Sequence, residues 1–467
     1  MLIKQTRYAV IFFLLTCTLA LPAQADVSQG LGKPVAPVVQ ESSKASTLFA
    51  FEVNSGNRQH SKVKTLMLLV QSDENKLLAD VAQSMHFDLE FSDQLAIDLK
   101  RATTVPDQKQ LASIAKQGYT LVLTLEQRKP TTHSIDLAIN LVDPASSQSF
   151  FHKKVTCKDR GIIHQAHVIA DELMPVLTGE KGPQLSTLAY CKQLSNRHKI
   201  VCVADYACRI EKPVVTASTI NVAPAWHTKA AGLCYSQFTR SNSRLMFLDF
   251  KTMQHKIVCS YDGLNMQPSF SPDGSKAALC LSSKGNSEIY LYDQNLCKKM
   301  GKRVFKQMTE NHGSNVSPCL LKNDNLIFCS DFQTGSPQIY FRDGTSRTVK
   351  RLTSGAGYCA SPAHCATTNK LVYTRYVKGT FQLFTLDMGA AQPRERQLTF
   401  NAGDKIEPTW SACGKYVAFT YAHFDTKLKR RSNQIAVLNT SSGVIRVLTS
   451  GIEQKSFPTW TERNLYA

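Results

Sequence analysis

Pro224-Ala-Trp226, Pro268-Ser-Phe270, Pro318-Cys-Leu320, Pro362-Ala-His364, Pro408-Thr-Trp410 and Pro458-Thr-Trp460 recur along the chain, with their prolines 44, 50, 44, 46 and 50 residues apart. Four copies keep an aromatic two residues after the proline; Leu320 and His364 replace it in the other two. Self-similarity at a period of about 40–50 residues is the signature of a β-propeller of four-stranded blades.

The same events follow each proline. A first apolar run appears in Leu233-Cys-Tyr-Ser236, Ala277-Ala-Leu-Cys280, Leu326-Ile-Phe-Cys329, Leu371-Val-Tyr-Thr374 and Tyr416-Val-Ala-Phe-Thr420. A second appears in Ile289-Tyr-Leu-Tyr292, Ile339-Tyr-Phe341, Leu383-Phe-Thr-Leu386 and Ile435-Ala-Val-Leu438. β-branched and aromatic stretches bounded by Gly, Ser, Asn and Asp read as strands. Asp249, Asp293, Asp343 and Asp387 each lie 25 residues after their proline, where a carboxylate can open a tight turn by accepting backbone amides. In the fifth repeat Asn439 lies at 31, so six residues are inserted there. Met308-Thr309, Leu352-Thr353, Leu398-Thr399 and Leu448-Thr449 close four repeats. Residues 187–218 hold three strand-like runs with no anchor, and Pro458-Thr-Trp460 is followed by only seven residues. The two ends are expected to share a sixth blade, with the strand at 458–466 beside 187–191. That closes the ring and removes free sheet edges.

Ahead of the repeats, 1–25 reads as a signal peptide: Lys4 and Arg7, an apolar stretch over 8–21, and Ala23-Gln-Ala25 as cleavage site. Residues 26–60, rich in Ser, Gln, Pro, Lys and Gly, read as a flexible arm. Residues 61–180 alternate in type and are expected to form a small α/β domain, one layer of helices on a mixed sheet. Its expected elements are strands at 63–70, 119–125, 134–142 and 149–155, and helices at 91–102, 108–117 and 163–177. Gly179-Glu-Lys-Gly-Pro183 separates this domain from a six-bladed propeller over 183–467.

The residues offer little chemistry. There is no G-x-S-x-G elbow, no phosphate-cradling glycine loop and no C-x-x-C. The propeller histidines His198, His227, His255, His312, His364 and His423 fall at differing places in their repeats. His364 occupies an anchor position, where a packed core residue is the plain reading. His164 and His167 share a helix face but have no carboxylate beside them in the sequence, which is weak evidence for zinc. No cofactor or metal is expected, and the chain reads as no enzyme. Cys202, Cys234, Cys280 and Cys329 sit inside strand runs as small buried hydrophobes. The net charge of +19 points to acidic surroundings or partners; its densest cluster, Lys427-Leu-Lys-Arg-Arg431, falls in the fifth-repeat insertion.

With these features in place, the chain resembles the TolB family of periplasmic propeller proteins of the Tol–Pal envelope system. The resemblance rests on an exported α/β domain, a helix running into Leu177-Thr-Gly-Glu-Lys-Gly182, a Leu-Ala-Tyr strand, and WD40-like repeats such as Pro268-Ser-Phe-Ser-Pro-Asp-Gly274. The chain departs from the family in losing most Asp-Gly turns, in its cysteine content and in the arm at 26–60. The resemblance implies a non-enzymatic periplasmic scaffold that binds the lipoprotein Pal and maintains outer-membrane integrity and invagination during division. It implies a TolA-like inner-membrane protein as a second partner, reached through the N-terminal arm. The rival readings are an exported propeller enzyme and an envelope-polymer-binding propeller. By the same resemblance, the residues just before the anchor prolines are expected to dock Pal from loops at one mouth of the channel. These are Asn265, Met266, Gln267, Asn315, Val316, Ser317, Tyr358, Ser361, Lys405, Glu407, Lys455 and Ser456.

Overall fold

Period-two and period-3.6 apolar patterns set the local elements of the computed structural model. It describes residues 49–51, 64–71, 76–130, 133–158, 161–355, 357–390 and 393–461. The expected signal peptide lies outside these residues, as does nearly all of the arm. In chain order the first elements are β1 (Phe49–Phe51), β2 (Lys64–Gln71), α1 (Lys76–Glu90), β3 (Leu95–Ala102), α2 (Gln108–Lys116), β4 (Leu121–Pro130), β5 (Ser134–Val142), β6 (Ser149–Lys158) and α3 (Ile162–Thr178).

β2 to β6 form one mixed sheet in the order β3-β2-β4-β5-β6, with β2 parallel to both β3 and β4. Two expectations need correction. The stretch 91–102 is not a helix: Leu95, Ile97 and Leu99 alternate at the strand period, and Leu95–Ala102 is the edge strand β3. The helix lies just before it, as α1, whose Leu78, Val81, Ala82, Met85 and Leu89 recur at helical spacing and are buried. Nor do the helices form one layer. α1 and α3 cover Leu66, Leu68, Leu123 and Ile139 on one face, whereas Leu111 and Ile114 of α2 pack on Met67, Leu69 and Val122 on the other. α2 opens with a capping box between Asp107 and Gln110, and α3 stops at Gly179, whose φ of 79° is the left-handed C-cap glycine favours.

From Thr187 onward the described chain is a β-propeller. Each anchor proline sits on an inner strand: Ile220–Trp226, Asn265–Phe270, Asn315–Leu320, Cys359–Cys365, Asp404–Trp410 and Lys455–Thr461. Successive strands pair antiparallel outward from these. Lys455–Thr461 pairs with Thr187–Ser195, placing Trp460 opposite Leu188. The aspartates cap turns as expected. Asp249 accepts the Lys251 N–H, Asp293 those of Asn295 and Leu296, Asp343 those of Thr345 and Ser346, and Asp387 that of Gly389.

The closing Leu-Thr pairs have a physical cause. Thr309, Thr353, Thr399 and Thr449 accept the N–H of Ile289, Ile339, Leu383 and Ile435 at 2.9, 3.2, 2.9 and 2.9 Å. Their hydroxyls then donate to the side chain just before that strand residue: Glu288, Gln338, Gln382 and Gln434. Each pair ties an outer strand to the one inside it.

The arm is not wholly apart from the fold. β1 pairs antiparallel with Ile445–Val447, adding a fifth strand to the sheet that holds Asp404–Trp410. All thirteen cysteines from Cys157 to Cys413 are free thiols, ten of them buried. Burial raises the pKa of Cys202 and of Cys280 to about 12.

The α/β sheet is joined to the propeller through a buried polar cluster. His167 of α3 lies between Asp88 of α1, at 2.8 Å from Nδ1, and Asp205 of the propeller, at 3.0 Å from Nε2. The Tyr206 hydroxyl donates to the other Asp88 oxygen at 2.7 Å, and Gln184 donates to the Asp88 carbonyl at 3.1 Å. Phe91 packs edge-on against Tyr206, with Arg446 over its face. Asp93 takes Asn439, Ser442 and Arg446 from the propeller. The His164–His167 pair therefore resolves into a structural clasp made by His167 alone. Burial opposes the charge on His167, but its hydrogen bonds to both carboxylates and their attraction outweigh it and push its pKa up to about 9. A histidine raised in this way stabilises the fold fully below about pH 6.5 and loses that contribution as pH rises towards about 9. His167→Ala should cost about 3 kcal/mol by leaving two buried carboxylates without their partner. Denaturant melts of wild type and variant from pH 6 to 9.5 should converge as the pH rises; parallel curves would mean that the imidazole is neutral.

Candidate functional site

The inner strands surround a central cavity of about 390 Å³ walled by all six anchor prolines. In every inner strand the pairing register slips at the proline, a β-bulge. The residue before each proline takes up the slip in the left-handed region: Ala223, Gln267, Ser317, Ser361, Glu407 and Phe457, at φ of 50°, 53°, 51°, 50°, 57° and 55°. None is glycine, and a left-handed backbone costs a non-glycine residue on the order of 1–2 kcal/mol. All six line the cavity.

Two of them reach their neighbours. Gln267 accepts the Ser317 N–H at 3.0 Å, and Glu407 accepts the Phe457 N–H at 2.7 Å. Each spans from one inner strand to the next, where no ladder runs between them. The Glu407 carboxylate also accepts the Thr420 hydroxyl at 2.6 Å. Burial pushes its pKa up to about 7, despite those hydrogen bonds and the attraction of Lys199.

The expectation that these twelve residues lie in mouth loops is corrected by the structure. All but Tyr358 lie on inner strands, which begin three to four residues before the proline. Asn265, Met266, Asn315, Val316, Ser317, Lys405 and Lys455 are buried. In five of the six inner strands, Cys359 being the exception, position three before the proline is a loop staple. Asn265 donates to the Ser243, Tyr261 and Gly263 carbonyls, and Asn315 to the Gly313 carbonyl and the Asn311 and Glu288 side chains. Asn221, outside the expected set, does the same to Ala217, Thr219 and Lys199. Lys405 donates to the Asn401, Ala402 and Gly403 carbonyls, and Lys455 to those of Ser450 and Glu453 and to the Gln434 side chain. Burial lowers the Lys405 pKa to about 8, against the attraction of Asp404. Met266 and Val316 belong to the core between sheets. Ser456 is half-buried opposite Cys191, and Tyr358 packs edge-on against Phe381. Of the expected set, the cavity brings together Gln267, Ser317, Ser361 and Glu407, joined by Ala223 and Phe457, which sequence reasoning passed over. The signal was present, since both immediately precede an anchor proline.

His364 lines the same cavity with its Nε2 at 2.9 Å from Asn369, and His423 stacks on Tyr421 at 4.6 Å. Among the described residues no three His, Cys, Asp or Glu side chains converge as a metal site.

These features define the class: a β-propeller with a strained channel ring, clasped at one end by an α/β sheet. Within it, residues 175–392 match the family described as the TolB beta propeller domain. The chain is 24% identical over 393 residues to the Tol-Pal system protein TolB of Francisella tularensis subsp. mediasiatica, covering 80% of this chain and 85% of that one. TolB of subsp. holarctica matches at the same identity and coverage. In structure the chain is similar to TolB from Acinetobacter baumannii, with a TM-score of 0.73 and 23% identity over 88% of this chain and 98% of that one. The likeness to TolB is thus shown in sequence and in fold.

Glu407 gives a pH test of the ring. A carboxyl whose folded pKa lies near 7 favours the fold when protonated, so stability should fall as pH rises from about 4.5 to about 7 and then level off. Glu407→Gln keeps an acceptor for the Phe457 N–H and removes the charge. It should gain about 3 kcal/mol over wild type at pH 8 and almost nothing at pH 4.5, measured by urea melts. An equal effect at both values would place the carboxylate in solvent.

Proposed function

We propose that this chain is a non-enzymatic scaffold of a Tol–Pal system. Its propeller is read as six blades, closed by the pairing of Lys455–Thr461 with Thr187–Ser195. The channel ring is read as the docking site for a Pal-like outer-membrane lipoprotein. The observation that carries this is the ring of six left-handed, non-glycine residues facing one cavity. Strain held at a single site and supported by the surrounding sheets is characteristic of places where binding is made. Glu407 and the polar tips of Gln267, Ser317 and Ser361 offer donors and acceptors to an inserted segment. The staples Asn265, Asn315, Lys405 and Lys455 act one step back, by fixing the loops that frame the mouth.

The rest of the reading follows from the resemblance to TolB. The chain acts in the periplasm after removal of residues 1–25, supports outer-membrane integrity during division, and reaches a TolA-like protein through the arm at 26–60. Its α/β domain is taken as 61–180. Among the described residues no helix is long and apolar enough to cross a membrane.

Capture of the soluble domain of a Pal-type lipoprotein by the mature chain tests the docking reading. Ser361→Arg, which fills the cavity without touching a loop staple, should weaken capture at least about tenfold while the melting temperature stays close to wild type. Retained capture would move the site off the channel. Removing the last ten residues tests closure separately, because it takes away Trp460, whose indole N–H donates to Ser186 at 2.6 Å. Loss of that buried side chain alone is expected to cost about 3–5 kcal/mol, and a truncated chain that melts like the intact one would rule out the closed ring.

A further inference from the structure

Three large apolar side chains among the described residues are at least 60% exposed: Phe400 at 60%, Phe424 at 62% and Ile452 at 65%. They are far apart in sequence, yet all stand at the same end of two neighbouring sheets. Phe400 lies in the loop entering Asp404–Trp410, Ile452 in the loop entering Lys455–Thr461, and Phe424 at the end of Tyr416–Asp425, beside the hairpin turn. Side chains fasten these loops to one another. Arg431 pairs with Asp404 at 2.6 Å, Arg430 donates to the Ile452 carbonyl, and Gln454 donates to the Arg431 carbonyl at 3.3 Å. The hairpin between the three apolar tips is the basic run Lys427-Leu-Lys-Arg-Arg431, and Leu428 is exposed as well. Of the acidic groups nearby, Asp404 is taken by Arg431, Asp425 caps the N–H groups of Lys427 and Leu428, and the half-buried Glu453 beside Ile452 attracts Lys192 and Lys455. The α/β sheet docks at the opposite end, where Asp93 meets Asn439 and His167 meets Asp205, so it does not cover this face.

We infer that this end of the propeller docks on an anionic lipid surface. The cross-loop bonds of Arg430, Arg431 and Gln454 gather these three exposed apolar tips at one end, and a gathered apolar face marks an interaction site. A bilayer interface accepts separated tips at headgroup depth because it deforms around them, while a rigid protein partner would need a pocket for each. Lysine and arginine between the tips would meet phosphate headgroups, each adding to the attraction of a +19 chain. The inference stands independently of docking at the channel.

Co-sedimentation of the full mature chain with vesicles tests it, using phosphatidylcholine alone and phosphatidylcholine with about one third phosphatidylglycerol. Binding should be confined to the anionic vesicles. The triple variant Phe400→Ser, Phe424→Ser, Ile452→Ser should weaken it at least about tenfold with no loss of melting temperature, since all three side chains face water. Lys427→Glu with Lys429→Glu should weaken it too, and more at low salt than at high. Failure to sediment with anionic vesicles overturns the inference. So does sedimentation that the apolar triple leaves unchanged, which would reduce it to net charge. So does a triple variant that loses only the Pal-type domain, which would make the face a protein interface.

Discussion

Neighbouring sheets of this propeller share little backbone pairing, a parallel bridge of Ile220 to Lys199 and single bonds such as Asn315 N–H to the Ser287 carbonyl, so the side chains around the anchor prolines carry much of the join. The indole N–H of Trp226 donates to the Thr459 carbonyl at 3.1 Å, and that of Trp410 donates to Ala363 at 3.1 Å. The acceptor in both cases is the residue just after the neighbouring sheet's proline. Gln267 and Glu407 add a second tier by gripping the next left-handed residue, and the Leu320 N–H adds a third by donating to Ser269 at 2.9 Å. The bulge at the proline makes these reaches available, because it turns one residue per strand out of the ladder and into the channel. The local strain it introduces is held by packing on both sides.

Much of this was legible from the spacing of the anchors, because a repeat shows itself through period even where single copies decay. Leu320 and His364 replace the aromatic, yet their strands form in register with the others. What escaped reading was polar and buried. Asn265 and Lys405 look like loop residues by type, but they are interior donors that saturate the carbonyls of a turn. Asp88 and His167 were equally opaque, since a buried ion pair between elements 79 residues apart leaves no local pattern. The misread stretch at 91–102 has a simpler cause. Ala96, Asp98 and Lys100, interleaved with Leu95, Ile97 and Leu99, complete the alternation of a half-exposed strand, so the period was present but carried by only three large apolar residues.

The two ends of the propeller are chemically unlike. One is sealed by carboxylates, a histidine and aromatics against the α/β sheet. The other carries the loop entries to the inner strands, the basic hairpin and the exposed apolar tips. The channel joins them, and the α/β sheet meets the sheets holding Asp404–Trp410 and Lys455–Thr461, the same two that bear the apolar tips. A shift of either sheet would be felt at both ends.

The free thiols give the chain a history as well as a shape. Once folded, Cys202 and Cys280 are poor nucleophiles, since thiolate is scarce at neutral pH when the pKa is near 12. Before the sheets form, the same sulfurs have the reactivity of any free cysteine. In an oxidising compartment the unfolded chain would therefore be racing oxidation, and a single premature disulfide between two strand interiors would block the register of both. The outcome would be set by the rate of sheet formation, so a mutation that merely slows folding could lower yield more than its effect on stability suggests.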